Sequence, residues 1–168
     1  GVWKASGRLM VAVFFFFYSE VLIRWTRRVA DLLGVSWVGA YVDDDRARST
    51  DDDRLLARNI ELVRQLGGQI ISTKDHDVVQ GLLRIARQND VTQIIVGKSK
   101  RSLLHRILSG GSLVNRLLQH SGPIDIYAVS ANRTKAKQQL LKHLAKNSAS
   151  MSLDDFGWLS AIVILTWV

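Results

Sequence analysis

Basic side chains are concentrated between residues 98 and 106, with no acidic residue among them. They are Lys98, Lys100, Arg101, His105 and Arg106. A short β-branched run at 91–96, typical of a buried strand, ends at Gly97 just before them. Gly110, Gly111 and Ser112 follow them. A strand, a basic loop and a glycine-rich helix start are typical of phosphate binding, because unpaired backbone N–H groups and the positive helix end face the anion.

The helix after this loop is predicted to begin at Ser112, whose hydroxyl suits an N-cap. Leu113, Leu117 and Leu118 recur at helical spacing. We expect these three leucines to form the buried face of the helix.

Composition limits the classes of protein and ligand. The chain has 168 residues, enough for one domain with an appendage, and 47% of them are hydrophobic. It contains no cysteine, which excludes disulfides, thiolate metal sites and cysteine nucleophiles and suits a cytoplasmic location. The net charge of +8 favours a polyanionic partner, whether nucleotide, nucleic acid or anionic lipid.

Apolar runs and helical periodicities alternate along the chain. The predicted strands cover residues 9–17, 35–42, 69–73, 91–96 and 124–129. Strands that alternate with helices of three to four turns specify an α/β fold: a parallel sheet with helices on both faces and right-handed crossovers. In such a sheet, ligands bind at the carboxyl ends of the strands.

Polar residues mark the predicted helix starts. Ser19 is a candidate N-cap, Thr50 with Asp53 resembles a capping box, and Asp75 or Asp77 opens the next helix. Capping also explains the aspartate runs better than metal binding, because they lack the Asp-x-Asp-x-Asp-Gly order of a calcium loop.

No catalytic group is predicted in this segment. His76 stands at a helix start without a visible nucleophile or orienting carboxylate, so we interpret it as a surface or capping residue. We see no Walker lysine motif, no Ser-His-Asp set and no metal triad, and therefore expect a non-enzymatic domain that requires no cofactor.

The composition changes after residue 130. Residues 131–155 are rich in lysine and leucine and indicate a basic helical linker, whereas residues 156–168 carry no charge. At about 1.5 Å per residue the apolar tail reaches only about 20 Å, short of the roughly 30 Å bilayer core. Tryptophans at both its ends favour the first part of a transmembrane helix over a core-docking helix. We thus divide the chain into a connector (1–7), an α/β domain (8–130), the linker and this tail.

The strand–loop–helix segment resembles the nucleotide motif of universal stress protein (Usp) domains. That motif reads Gly, two residues, Gly, nine residues, Gly, then Ser or Thr. Gly97 matches the first glycine, and Lys100 stands at the second. Gly110, Gly111 and Ser112 match its end with one residue of offset.

A narrower resemblance is to the Usp domain of KdpD-type sensor histidine kinases. It is carried by Gly97-Lys98 with the basic stretch, by the run at 111–118, by the run at 124–127 and by the helix at 18–33. The basic linker and apolar tail are similar too, because in these kinases the Usp domain precedes a membrane region. This resemblance implies the strand order 3-2-1-4-5.

The resemblance also implies a ligand and its site. ATP or cyclic di-AMP is the implied ligand. We expect nucleotide or anion binding by Gly97, Lys98, Ser99, Lys100, Arg101, Arg106, Gly110, Gly111, Ser112 and Leu113 in the loop and by Tyr41 and Val42 on strand 2.

The first predicted strand ends in phenylalanines rather than in the family's polar residues. ATP-binding Usp domains carry an aspartate here, and some KdpD chains carry Ser-x-Ser, where this chain has Phe14 and Phe16. The stretch at 37–41 is compatible with the second half of the cyclic di-AMP motif. The rings can stack on a base, close the crevice, or belong to the strand core.

Three functions compete at this point. The first is a cytoplasmic regulatory domain of a KdpD-like sensor kinase in the plasma membrane, which controls potassium transport genes. Its expected partners are a nucleotide or acidic protein surface, the rest of the kinase, the membrane through the C-terminal segment, and a second copy in a homodimer. The second is a free-standing Usp that binds ATP. The third is an electrostatic docking module for anionic lipid or another protein domain; nucleic acid is not expected, because aromatics are not interleaved with the basic clusters.

Overall fold

The computed structural model describes residues 7–16, 18–98 and 112–130, without the side chains of Lys98 and Ser130. The strands are β1 (Arg8–Ala12), β2 (Ser36–Asp43), β3 (Gln69–Lys74), β4 (Val91–Lys98) and β5 (Asp125–Ser130). The helices are α1 (Tyr18–Leu33), α2 (Thr50–Gln65), α3 (Val78–Gln88) and α4 (Leu113–His120). All described residues belong to one compact unit.

The five strands form one parallel sheet in the order β3-β2-β1-β4-β5. This confirms both the predicted fold class and the strand order. Helix α1 packs against α2, and α3 packs against α4. Helices on both faces explain why β1 is apolar throughout its buried part, with Met10, Val11 and Ala12 fully buried.

Two predicted boundaries around β1 were wrong. The apolar run at 9–17 is not one strand, because β1 ends at Ala12. One further hydrogen bond, from Val13 N to Ala40 O (2.8 Å), ties the chain to β2 before it leaves the sheet. Ser19 is not the N-cap of α1, since the helix begins at Tyr18 and Ser19 is buried in its first turn.

The predicted caps of α2 and α3 were partly right. Ser49, not Thr50, is the N-cap of α2, and its hydroxyl accepts a hydrogen bond from Asp52 N (3.2 Å). Asp77, one of two candidates, caps α3 by accepting from Val79 N (3.0 Å). His76 is exposed.

Helix α4 has a narrower buried face than predicted. Leu113 and Leu117 are buried, but Leu118 is 55% exposed and lies outside the core. Residues 1–6 of the predicted connector, and the predicted linker and apolar tail, lie outside the described residues. Within residues 7–16, 18–98 and 112–130, no helix is long and apolar enough to cross a membrane.

Gly97 is a strand residue rather than the predicted turn. It lies in β4, pairs with Val129 of β5 and is buried. A Cβ atom at this position would overlap Cε2 of Tyr18 and lie 3.0 Å from Cδ1 of Leu22. Glycine is therefore required here because α1 packs directly on the backbone of β4.

We expect Gly97→Ala to lower the free energy of unfolding by about 1–3 kcal/mol, because the added methyl group forces Tyr18 and α1 away from the sheet. Urea unfolding followed by circular dichroism measures this loss. The double variant Tyr18→Leu/Gly97→Ala should lose less than the sum of the two single changes. A Gly97→Ala variant as stable as the wild type would contradict this packing.

Candidate functional site

The chain turns away from the sheet directly after β1, in an aromatic segment. The ring of Phe16 lies 4.8 Å from that of Phe15 and 5.9 Å from that of Phe14. It also stacks on Tyr18 at 5.3 Å. Phe16 is buried, whereas Phe14 and Phe15 are only partly buried. Phe16 therefore belongs to the core, and the two rings before it remain at the surface of the crevice.

A buried asparagine on α2 fixes this aromatic segment. Asn59 is 2% exposed, and its Nδ2 donates to Phe14 O (2.8 Å) and Phe16 O (3.3 Å). Both carbonyls lie beyond the end of β1, where Asn59 gives each of them a buried donor, and Phe16 O also accepts from Ser19 N (3.0 Å). The path of this aromatic segment thus depends in part on one side chain of α2.

A small pocket opens beside these rings at the carboxyl ends of β1 and β2. Its volume is about 60 Å³, which is room for about two waters. Its walls come from the aromatic segment, the end of β2, the loop at 44–49 and the first residue of α3. The lining residues are Phe14, Phe15, Tyr41, Val42, Asp44, Arg46, Ala47, Arg48 and Val78.

Arg48 is the most heavily bonded side chain of this pocket. Its Nη2 donates to Tyr41 OH (2.7 Å), its Nε to Asp53 Oδ1 (3.1 Å) and its Nη1 to Asp44 Oδ1 (3.5 Å). A third carboxylate, that of Asp43, has its Oδ1 3.8 Å from Nη2. The Arg48 side chain is only 17% exposed. Its guanidinium carbon lies 5.8 Å from the centre of the Tyr41 ring.

The environment keeps Arg48 charged and Tyr41 neutral. Burial alone lowers the pKa of Arg48, but the hydrogen bond to Asp53 and the neighbouring negative charges raise its pKa overall. Burial also raises the pKa of Tyr41, and the Arg48 charge only partly offsets that effect. The phenol therefore stays protonated at neutral pH and accepts from Arg48, with its own hydrogen left to donate.

The start of α3 links the pocket to α4. Asp77, which caps α3 next to the pocket residue Val78, also pairs with Arg116 of α4 at 2.5 Å. Arg84 holds the preceding turn by donating to Asp75 Oδ2 (2.7 Å). Arg116 thus joins α4 to the turn that begins the pocket wall at Val78.

The predicted site residues fall into three groups. Tyr41 and Val42 line the pocket. Gly97 and Lys98 end β4, while Ser112 occupies the N-cap position of α4 without a side-chain capping bond and Leu113 is buried. The remaining predicted residues lie outside the described part of the chain: Ser99, Lys100, Arg101, Arg106, Gly110 and Gly111.

Two important residues of this site were missed from the sequence. Arg48 stands with Arg46 between the acidic runs 43–45 and 51–53, and a pair of cations between two such runs is a usable signal. Asn59 gives no comparable signal, because its partners are backbone carbonyls more than forty residues away. Among the described residues, no group of three or more His, Cys, Asp or Glu side chains is placed to hold a metal ion.

We expect Asn59→Ala to lower the free energy of unfolding by about 1–3 kcal/mol, because Phe14 O loses its buried donor while Phe16 O keeps its bond from Ser19 N. Near-ultraviolet circular dichroism should change as well, since the phenylalanine rings move. Asn89→Ala, which removes a local bond to Ile85 O (2.8 Å) at the end of α3, is the matched control and should cost less. Equal losses would show that Asn59 has no special role.

The Asp75 carboxylate makes stability depend on pH. The hydrogen bond from Asp77 N, and after it the bond and charge of Arg84, lower its pKa against the opposing effect of burial. A lowered pKa in the folded state gives stability above the ordinary aspartate pKa that is lost as the pH falls through the folded-state value.

Asp75→Asn should therefore be less stable than the wild type at pH 7, and the difference should shrink below about pH 4. Urea unfolding at several pH values measures this difference. Asparagine keeps the oxygen that accepts from Asp77 N. The pH-dependent part of the stability difference therefore reports the loss of the Asp75 charge alone. A difference that stays constant down to pH 3 would contradict the assignment.

No protein-family model matches the chain. The chain is similar to two curated KdpD sensor proteins. It is 29% identical to that of Mycobacterium tuberculosis over 168 residues, 96% of this chain and 18% of the relative. It is 29% identical to that of Clostridium acetobutylicum over 114 residues, 66% of this chain and 12% of the relative. The chain thus spans less than a fifth of the length of these relatives.

The fold is similar to solved universal stress proteins. One from Archaeoglobus fulgidus superposes with a TM-score of 0.52 at 16% identity, over 73% of this chain and 92% of that chain. Another, solved in complex with cAMP, superposes with a TM-score of 0.56 at 15% identity, over 77% of this chain and 100% of that chain. The universal stress protein from Archaeoglobus fulgidus in complex with dAMP superposes with a TM-score of 0.51 at 15% identity, over 74% of this chain and 98% of that chain. The chain therefore has the universal stress protein fold and is similar, over nearly its whole length, to a segment of the KdpD sensor proteins.

Proposed function

We propose that this chain contains the cytoplasmic regulatory domain of a KdpD-like sensor histidine kinase and that the domain senses a nucleotide or another anion. The observation that carries the proposal is the similarity to the KdpD protein of Mycobacterium tuberculosis over 96% of this chain, combined with the universal stress protein fold. The domain itself is non-catalytic, and the kinase chemistry belongs to the rest of the parent protein.

Two features at the carboxyl ends of the strands support ligand binding: the pocket and the basic loop. The pocket at the ends of β1 and β2 offers Phe14 and Tyr41 as planar surfaces and the phenol as a hydrogen-bond donor. The end of β4 leads at Lys98 into the basic loop. Two universal stress proteins with this fold were solved with cAMP and dAMP. We assign the base of a nucleotide to the pocket and its phosphates to the loop.

The charges around the pocket support this orientation. The charged residues of its lining are one carboxylate, Asp44, and two guanidiniums, Arg46 and Arg48. Arg46 pairs with Asp44, and Arg48 pairs with Asp43, Asp44 and Asp53, so both positive charges are already matched by carboxylates of the protein. The uncharged ring is therefore the part of the ligand that suits the pocket.

The bound state would pass from this domain to the membrane region through the predicted linker at 131–155. We include in the proposal a homodimer, attachment to the plasma membrane through the C-terminal segment, and control of potassium transport genes by the parent kinase. A free-standing universal stress protein that binds ATP is the alternative. The net charge of +8 favours a second alternative, electrostatic docking to anionic lipid or an acidic protein domain.

The test is calorimetric titration of the 168-residue chain with ATP and with cyclic di-AMP. We expect one-site binding of roughly micromolar affinity, about −8 kcal/mol. Lys98→Ala/Lys100→Ala should weaken it at least tenfold, since two positive charges leave the phosphate site, and Gly111→Val should weaken it by crowding the loop backbone.

The matched control is Arg58→Ala/Arg64→Ala, which removes the same charge from the exposed face of α2 and should leave the affinity unchanged. The preferred nucleotide separates an ATP site from a second-messenger site. No heat with either nucleotide in folded protein would overturn nucleotide sensing. Equal losses in both double variants, with a steep salt dependence, would favour the docking function.

A further inference from the structure

The pocket is too small for the ligand that the proposed function requires. Its volume of about 60 Å³ is far below the roughly 300–1,000 Å³ of ordinary ligand sites. A planar ligand would therefore fit only if part of the pocket wall moved. Four of its nine lining residues belong to the loop at 44–49: Asp44, Arg46, Ala47 and Arg48.

Side chains, rather than a backbone ladder, hold the 44–49 loop in place. Asp45 N donates to Asp43 Oδ1 (3.2 Å) and Arg46 N to Asp44 Oδ1 (3.3 Å). Asp45 has a φ of 58°, in the left-handed region that is unfavourable for a residue with a Cβ atom. A loop with this strain stays in one conformation only when its surroundings impose it.

Arg48 provides the strongest of these constraints. Its guanidinium joins the loop to the sheet through Tyr41 OH (2.7 Å) and to α2 through Asp53 (3.1 Å). Each of the three guanidinium nitrogens donates to a partner inside the protein. The hydrogen bonds of Arg48 therefore hold the loop in place. The same guanidinium carbon lies 5.8 Å from the centre of the Tyr41 ring, one of the planar surfaces of the pocket.

We propose that Arg48 is the positioning residue that holds the 44–49 loop closed over the pocket, and that release of its bond to Tyr41 opens the pocket to a planar ligand. The consequence for ligands rests on the proposed function. A closed form that dominates the free protein weakens apparent affinity by the fraction that is open. Variants that release the loop should therefore bind a nucleotide more tightly than the wild type does.

The absence of cysteine in this chain permits a direct test of opening. Val42→Cys places a single thiol in the pocket, where Val42 is 7% exposed. Its rate of alkylation by the uncharged reagent iodoacetamide reports how often the pocket opens. We expect this rate to rise at least tenfold when Arg48→Gln is added, because the guanidinium bonds to Tyr41, Asp44 and Asp53 are lost together.

Tyr41→Phe, which keeps every charge and removes only the hydroxyl that Arg48 bonds, should also raise the rate. Arg54→Gln, on the exposed surface of α2, should not. Val63→Cys reports global unfolding, because Val63 is fully buried on the inner face of α2. Its rate should stay far below that of Val42→Cys with and without Arg48→Gln, since the pocket opens without unfolding of the chain. Unchanged Val42→Cys rates, or equal rates at the two thiols, would overturn the proposal.

Titration of the cysteine-free Arg48→Gln variant with ATP and cyclic di-AMP completes the test. Tighter binding than in the wild type supports the closed loop, and equal or weaker binding contradicts it. If the thiol becomes reactive and neither nucleotide binds any variant, the loop closes the pocket but the proposed nucleotide sensing fails. The two failures are therefore distinguishable.

Discussion

The close approach of α1 to β4 is the constraint on which the site depends. The ring of Tyr18 lies where a Cβ atom of residue 97 would stand, so only glycine permits this contact. The contact places the start of α1 against the end of β4, beside the position where the strand order reverses. The chain between β1 and α1 must then turn within a few residues. The turn is made by aromatic residues, of which Phe16 is buried and Phe14 and Phe15 are partly buried.

The turn after β1 determines the shape of the crevice. Phe16 enters the core, while Phe14 and Phe15 remain beside the pocket under the control of Asn59. Arg48 pairs with Asp43, Asp44 and Asp53 and also joins the 44–49 loop to β2 through Tyr41. The same few bonds thus set both the shape of the pocket and the balance of charge in its wall.

Most of the fold was predictable from the sequence, because burial on both faces produces continuous apolar strands and each helix has a regular apolar stripe. The strand order required the family resemblance, since periodicity contains no information on which strands are neighbours. Errors were concentrated at element ends. Residues 13–16 were predicted to be strand because they are apolar. They lie beyond β1 instead, and the contacts between their aromatic rings replace strand pairing as the reason for their apolar character.

The site was less predictable than the fold. Tyr41 and Val42 were predicted because they match a family pattern; both line the pocket, and their role in binding stays a prediction. Arg48 and Asn59 were missed because their roles depend on contacts between distant elements, which spacing along the chain does not reveal. The basic loop remains a prediction, since most of it lies outside the described residues.

The central claim is that one edge of the sheet, formed by the pocket and the basic loop, receives the ligand. Hydrogen–deuterium exchange of the 168-residue chain, with and without saturating ATP or cyclic di-AMP, tests it most directly. On binding, we expect slower exchange in peptides covering 13–16, 41–49 and 97–113, and unchanged exchange on the outer faces of α1 and α2. Protection confined to those outer helix faces, or absent everywhere, would contradict it.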